Sequence, residues 1–276
     1  MHRRVRHPHL LHPLLLATLV MAATWDAWRW YLQRVWDSPE EAAALVLTAA
    51  FLAALGIARR AQPPSPRAVP LVSIALLLAA YAASYAVLPP IGRAAIAVAL
   101  TLFCVYLAAF RERPPIAFWG LVALALPVLP SLQFTLGYPM RIISAALTVG
   151  LLQLQGVAVA RQGTFLVWRG EMIQFDAPCS GVNMLWAGLL LTLMGCVLFR
   201  FGAIRVMVAV ALSLVLAIFC NVLRAASLFY VEAGLIPSAP SWWHEGIGLA
   251  AFVLSSVVTL WLLGRMRDRE VIRCAT

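Results

Sequence analysis

Lysine is missing altogether from this 276-residue chain, and all 21 basic residues are arginine. That excludes a catalytic lysine and any Schiff base between the protein and a carbonyl substrate. Charge of either sign is scarce, 12% of residues against 63% hydrophobic, about half of what a soluble domain carries. With a mean hydropathy of +0.89, the chain reads as an integral membrane protein. Cysteine is sparse and odd in number, five in all. Cys104, Cys196 and Cys220 fall inside apolar runs and Cys274 in the tail, a pattern that argues against a disulfide framework. His2, His7, His9 and His12 match no standard ligand spacing, and Glu40-Glu41 has no histidine partners, so neither a metal nor an organic cofactor is expected. The net charge of +10 is scattered singly between apolar segments. It forms no stripe that would track phosphates, so nucleic acid is not an expected partner. No internal repeat or low-complexity stretch divides the chain.

What is present is a series of apolar runs of membrane-crossing length, near 10–28, 41–58, 69–89, 94–110, 115–132, 180–199, 203–223 and 244–264. The basic start Met1-His2-Arg3-Arg4 is followed by no small-residue cleavage site, so 10–28 is read as a retained first span. Arginine collects on the cytoplasmic side of span ends. Arg3, Arg4, Arg6, Arg59, Arg60, Arg67, Arg111 and Arg113 therefore set the N-terminus inside, and Arg265, Arg267, Arg269 and Arg273 set the C-terminus inside. The two halves agree only if a ninth apolar segment, 139–157, does not cross. Its Arg141, Ser144, Thr148 and Gln155 form one helical stripe, which suits a helix lying in the interface plane. Residues 161–178 alternate and are broken by Gly170, as in a short hairpin on the outer face. The expected fold is all-α and polytopic: about eight transmembrane helices, one interfacial amphipathic helix and a short β-hairpin. It forms a single integral membrane domain, with an N-terminal helical half over 1–137, a core over 138–264 and a cytoplasmic tail over 265–276.

Three chemically capable residues fall at span ends on the outer side: Cys179 opening the sixth span, Arg224 closing the seventh and His244 opening the eighth. Short joints make these helices neighbours, so side chains at one depth can converge. A thiol at a helix start, with Ser180 able to cap, is favoured as thiolate by the positive helix end. An imidazole exchanges protons near neutral pH, and a guanidinium offers a fork of donors to an oxyanion or carboxylate. Together the three support acyl transfer through a thioester. Cys220, one turn from Arg224, is a reserve nucleophile, and Glu232 and Glu245 are placed to tune His244. A competing reading is a small-solute or anion transporter in which Arg224 binds an anion and Cys179 is incidental. Such a path would place ionisable groups at several depths, whereas here they cluster at one face.

The blocks Pro178-Cys179-Ser180-Gly181, Asn221-Val222-Leu223-Arg224 and His244-Glu245-Gly246-Ile247-Gly248, in that order, resemble the exosortase/archaeosortase family of membrane cysteine enzymes. The resemblance covers mainly 138–264; Pro178 departs from it, because family members often carry Ala before the cysteine. It implies Cys179 as nucleophile, Arg224 as the substrate- or oxyanion-stabilising cation and His244 as proton shuttle. It further implies a cysteine protease or transpeptidase at the outer face of the cytoplasmic membrane. The implied partners are membrane-anchored proteins with a C-terminal tripartite sorting signal (short motif, apolar helix, basic cluster), in bacteria typically of PEP-CTERM type.

Overall fold

The computed structural model describes residues 13–59, 71–110, 114–174, 180–236, 240 and 242–275. Ten helices and one small sheet make up the described chain, which forms two compact units, one to Pro127 and one from Val128. The His2, His7, His9 and His12 cluster lies outside the described residues.

The first unit holds α1 (Pro13–Ala23), α2 (Trp25–Trp36), α3 (Pro39–Arg59), α4 (Leu71–Ser84), α5 (Pro90–Phe110) and α6 (Ile116–Ala125). Helix α5 is its centre, touching each of the others. Leu16, Ala17 and Val20 of α1 pack on Leu100 and Cys104 of α5, so Cys104 is a small apolar core residue. Two aromatic side chains of this core find polar partners, as burial favours. Trp28 Nε1 donates to Thr101 Oγ1 at 3.3 Å, and Tyr31 OH donates to the Ala125 carbonyl at 2.6 Å. The second bond satisfies one of the carbonyls that the end of α6 leaves open.

The second unit runs α7 (Leu129–Leu154), β1 (Ala160–Gln162), β2 (Phe165–Trp168), β3 (Glu171–Gln174), α8 (Val182–Phe199), α9 (Ala203–Glu232) and α10 (Trp243–Ala275). Helices α8, α9 and α10 are mutual neighbours, and α7 packs on α8 and α9. Lipid tails are as apolar as leucine, so helices in a membrane associate through close packing and hydrogen bonds. Small residues set those approaches here. A Cβ on Gly195 of α8 would lie 2.5 Å from Leu263 Cδ1 of α10, and one on Gly188 would lie 3.4 Å from Ser213 Oγ of α9. The left-handed Arg200 (φ 56°) reverses the chain between α8 and α9. The start of α8, the end of α9 and the start of α10 therefore share one end of the unit.

Six described helices are long and apolar enough to cross a membrane: α3, α5 and α7 to α10. The expected count of eight does not stand on this measure, for local reasons. The first run is broken at Thr24, α4 ends at Ser84 before its apolar run does, and α6 is shorter than its run. Helix α6 stops because Leu126, before Pro127, is held extended (φ −70°, ψ 156°), as the proline ring requires of its predecessor.

The surface helix expected at 139–157 is instead the second half of α7, a continuous helix that runs through Pro139. The middle of its stripe does not face water, although Gln155 at the end is exposed. Ser144 and Thr148 are 1% and 0% exposed, whereas Ile143, Leu147 and Leu154 are outward. Polar inside and apolar outside is the arrangement of a helix in lipid, the reverse of an interfacial one. The expected hairpin is present and gains a strand: the sheet is antiparallel in the order β1-β2-β3. Its β2–β3 turn has left-handed φ at both Arg169 (52°) and Gly170 (85°), the conformation of a tight type I′ hairpin.

Tyr31→Phe, which deletes only the hydroxyl on the Ala125 carbonyl, should lower stability by about 1 kcal/mol, read as an earlier thermal melt of the detergent-solubilised protein.

Candidate active site

Helix α9 carries the inner ends of the site. Arg224 was expected to close its span at 223, but α9 continues to Glu232, so Arg224 sits two turns inside the helix and is half-buried. Asn221, one turn earlier, is 1% exposed. A charged or amide side chain at such a place needs partners, and the local sequence supplies room for them on both sides.

On one side is the start of α8. Gly181 has φ +80°, and a Cβ there would lie 2.8 Å from Asn221 Cγ and 2.9 Å from Asn221 Nδ2. Glycine is required twice at this position, once by the left-handed backbone and once by the amide packed against it. Ser180 is buried, and its Oγ accepts from the Val182 N–H at 3.3 Å, an ST-type turn that helps satisfy the opening of α8. Cys179 itself lies outside the described residues; Ser180 and Gly181 are its first described neighbours in the chain.

On the other side is α10. A Cβ on Gly248 would stand 3.3 Å from Arg224 Nε and 3.6 Å from its NH2 nitrogen, so the guanidinium lies against the bare backbone of α10. His244 is four residues earlier and therefore on the same face, one turn further out. Its Nδ1 is 3.8 Å from Glu232 Oε1, with both side chains about half exposed at 46% and 55%. That spacing permits Coulomb attraction and is too long for a hydrogen bond. The carboxylate faces Nδ1 and leaves Nε2 directed elsewhere.

Helix α7 closes the arrangement from behind. Asn221 Nδ2 donates to Ser144 Oγ at 3.0 Å, and at the mouth Tyr230 OH donates to Gln155 Oε1 at 2.6 Å. Near the start of α8, Gln133 Nε2 donates to Asn183 Oδ1 at 2.8 Å. The reserve nucleophile Cys220 is buried among Met184, Ala251 and Leu216, which leaves its thiol no path to a substrate. Cys196 is likewise fully buried. No group of acidic, histidine or cysteine side chains able to hold a metal occurs among the described residues.

Sequence reasoning named Arg224 and His244, and the fold brings their helices together at Gly248. It gave no role to Asn221 and read Ser144 as a surface residue. The signal for both was there: an asparagine one turn before an arginine in an apolar helix, and a serine–threonine stripe, mark faces that must meet each other when lipid is the solvent.

Polar side chains of α7, α8 and α9, among them Ser144, Asn183, Asn221 and Arg224, thus gather where the start of α8 meets α9 in a multi-pass membrane protein. The transmembrane exosortase family model matches residues 35–261. The chain belongs to that family, one of membrane cysteine-type transpeptidases. The match extends well before residue 138, so α3 to α6, which the motif blocks alone did not cover, are part of the family pattern, whereas α1 and most of α2 precede it. No curated protein and no solved structure matches the chain.

Gly181→Ala should destabilise the protein by about 1–3 kcal/mol through its backbone strain and the clash with Asn221. In an Asn221→Ala background the contacts to Cγ and Nδ2 are removed while the 3.1 Å approach to Cβ and the strain remain, so a double-mutant cycle on thermal stability should return a coupling of roughly 0.5 kcal/mol or more.

Proposed function

We propose that this protein is a membrane-embedded cysteine transpeptidase that cleaves the C-terminal sorting signal of exported, membrane-anchored proteins at the outer face of the cytoplasmic membrane. Cys179 passes its thiol proton to His244, attacks a backbone carbonyl just outside the bilayer and forms a thioester. His244 gives that proton to the departing amine, and Arg224 stabilises the tetrahedral oxyanion. Water or another amine then attacks the thioester and gives a proton to His244, which returns it to the departing Cys179 thiolate.

One observation carries this reading. The turn of α9 from Asn221 to Arg224 abuts Gly181, two residues after Cys179, and Gly248, one turn after His244. The three sequence blocks that resemble the family are thus in contact through their glycines. Charge supports the orientation: Arg200 and Arg205 at the α8–α9 joint and Arg265 and Arg267 toward the end of α10 lie at the opposite end of the unit, which the positive-inside rule assigns to the cytoplasm. A substrate helix whose basic cluster is also cytoplasmic would present its outer junction at the level of Cys179, so the scissile carbonyl need not enter lipid.

The test is a secreted reporter fused to the C-terminal motif, apolar helix and arginine cluster of a protein from the same proteome. Cys179→Ala enzyme, inserted at normal level, should leave the reporter unprocessed, a loss of about a thousand-fold or more. Arg224→Lys keeps the charge but not the fork and should lower processing about a hundred-fold. Normal processing by the Cys179→Ala protein refutes the reading.

A further inference from the structure

We propose that the open edge of β3 is the docking strand for substrate: the extended stretch between the folded part of the exported protein and its membrane helix adds to the sheet as a fourth strand. This inference rests on the peptidase reading and deepens it.

The sheet is fixed to the helices, so its edge is a defined surface. Leu166 is fully buried in a cluster with Ala145, Val149 and Leu152 of α7 and Ala225, Ala226 and Phe229 of α9, and Trp168 and Ile173 pack against it. The Trp168 ring meets Phe229 edge-on at 5.9 Å. The strands that contact α7 are β1 and β2, which leaves β3 as the outer strand on the far side of the sheet, paired among the described residues only with β2.

The register identifies which groups the edge offers. Trp168↔Glu171 flank a two-residue turn and Leu166↔Ile173 follow two residues on, so these are the mutually bonded pairs of the ladder. The intervening residues, Met172 and Gln174, then turn their backbone N–H and C=O groups outward. The same logic gives Phe165 and Val167 to β1, so β2 is satisfied on both sides and the alternation is consistent across the sheet. Natural edges are usually blunted by proline, charge or a bulge. Past Glu171, β3 has no proline, no charge and an unbroken register. Met172 is 63% exposed, so side chains do not cover the edge there.

Position along the chain supplies the occupant. Gln174 is five residues before Cys179, so β3 leads directly into the segment that bears the proposed nucleophile. A peptidase acting on a backbone carbonyl just outside a membrane helix needs its substrate extended at that point. Strand addition provides this through main-chain bonds, with no demand on side-chain identity.

The test uses the same reporter with proline placed singly at each of the residues between its folded part and its membrane helix, which removes one N–H at a time. With unaltered enzyme, processing should fall about ten-fold at every second position, the period of a strand. On the enzyme, Met172→Pro should lower processing by about ten-fold, while Arg161→Pro, which removes the outward N–H of β1, should leave it within about two-fold. Losses that fail to alternate in the reporter, or Met172→Pro enzyme working at the normal rate, overturn strand addition and leave the peptidase reading standing. The reporter scan decides the matter even if Met172→Pro does not fold. Processing by Cys179→Ala enzyme would overturn both.

Discussion

The fold of the second unit depends on a single close approach: one turn of α9, Asn221 to Arg224, held between two glycines on different helices. A methyl group at Gly181 would fall within 2.8 Å of the Asn221 amide, and one at Gly248 within 3.3 Å of the Arg224 guanidinium. In lipid there is no gain from hiding one leucine behind another, so helix contacts must come from close packing and polar bonds. Gly181 leaves room for the Asn221 amide, whose Nδ2 donates to Ser144 Oγ, and Gly248 leaves room for the guanidinium against α10. The same approach sets the register of α8 and α10 against α9, and with it the spacing of every group discussed above.

This constraint also explains what sequence could and could not reveal. The apolar runs, the arginine-bearing joints and the three motif blocks were legible, because each is a local composition signal. The direction of the α7 stripe was not. Ser144 and Thr148 alternate with Ile143 and Leu147 at helical spacing whether the polar side faces water or protein, and periodicity cannot choose the solvent. Asn221 decides it, and Asn221 is 77 residues from Ser144. The breaks at Thr24 and Leu126 were missed because a hydropathy window averages over a single residue that ends a helix. The proline after Leu126 was the available sign.

The site shows the same division. Residue types and their order pointed to Arg224 and His244, since few side chains can stabilise charge or shuttle protons at a membrane boundary. Depth did not follow from the run length: α9 outlasts its most apolar stretch by two turns, which puts Arg224 inside the helix and leaves Glu232 at its end, facing His244 at 3.8 Å. A charge inside a membrane helix is costly, and a half-buried place against the bare backbone at Gly248 spares the guanidinium, which can only donate, from full burial.

Cys179 is bracketed in sequence by two elements that are each tied to α9. Ahead of it, the sheet is anchored through Leu166 and Trp168 to Phe229 and its neighbours; behind it, Gly181 rests on Asn221. Asn221 and Phe229 are eight residues apart on one helix, about 12 Å along its axis. Both described elements rest on α9, the helix that also carries Arg224. Because one rigid helix carries Arg224, Asn221 and Phe229, motion of α9 moves the cation together with the sheet and the start of α8 that pack on it.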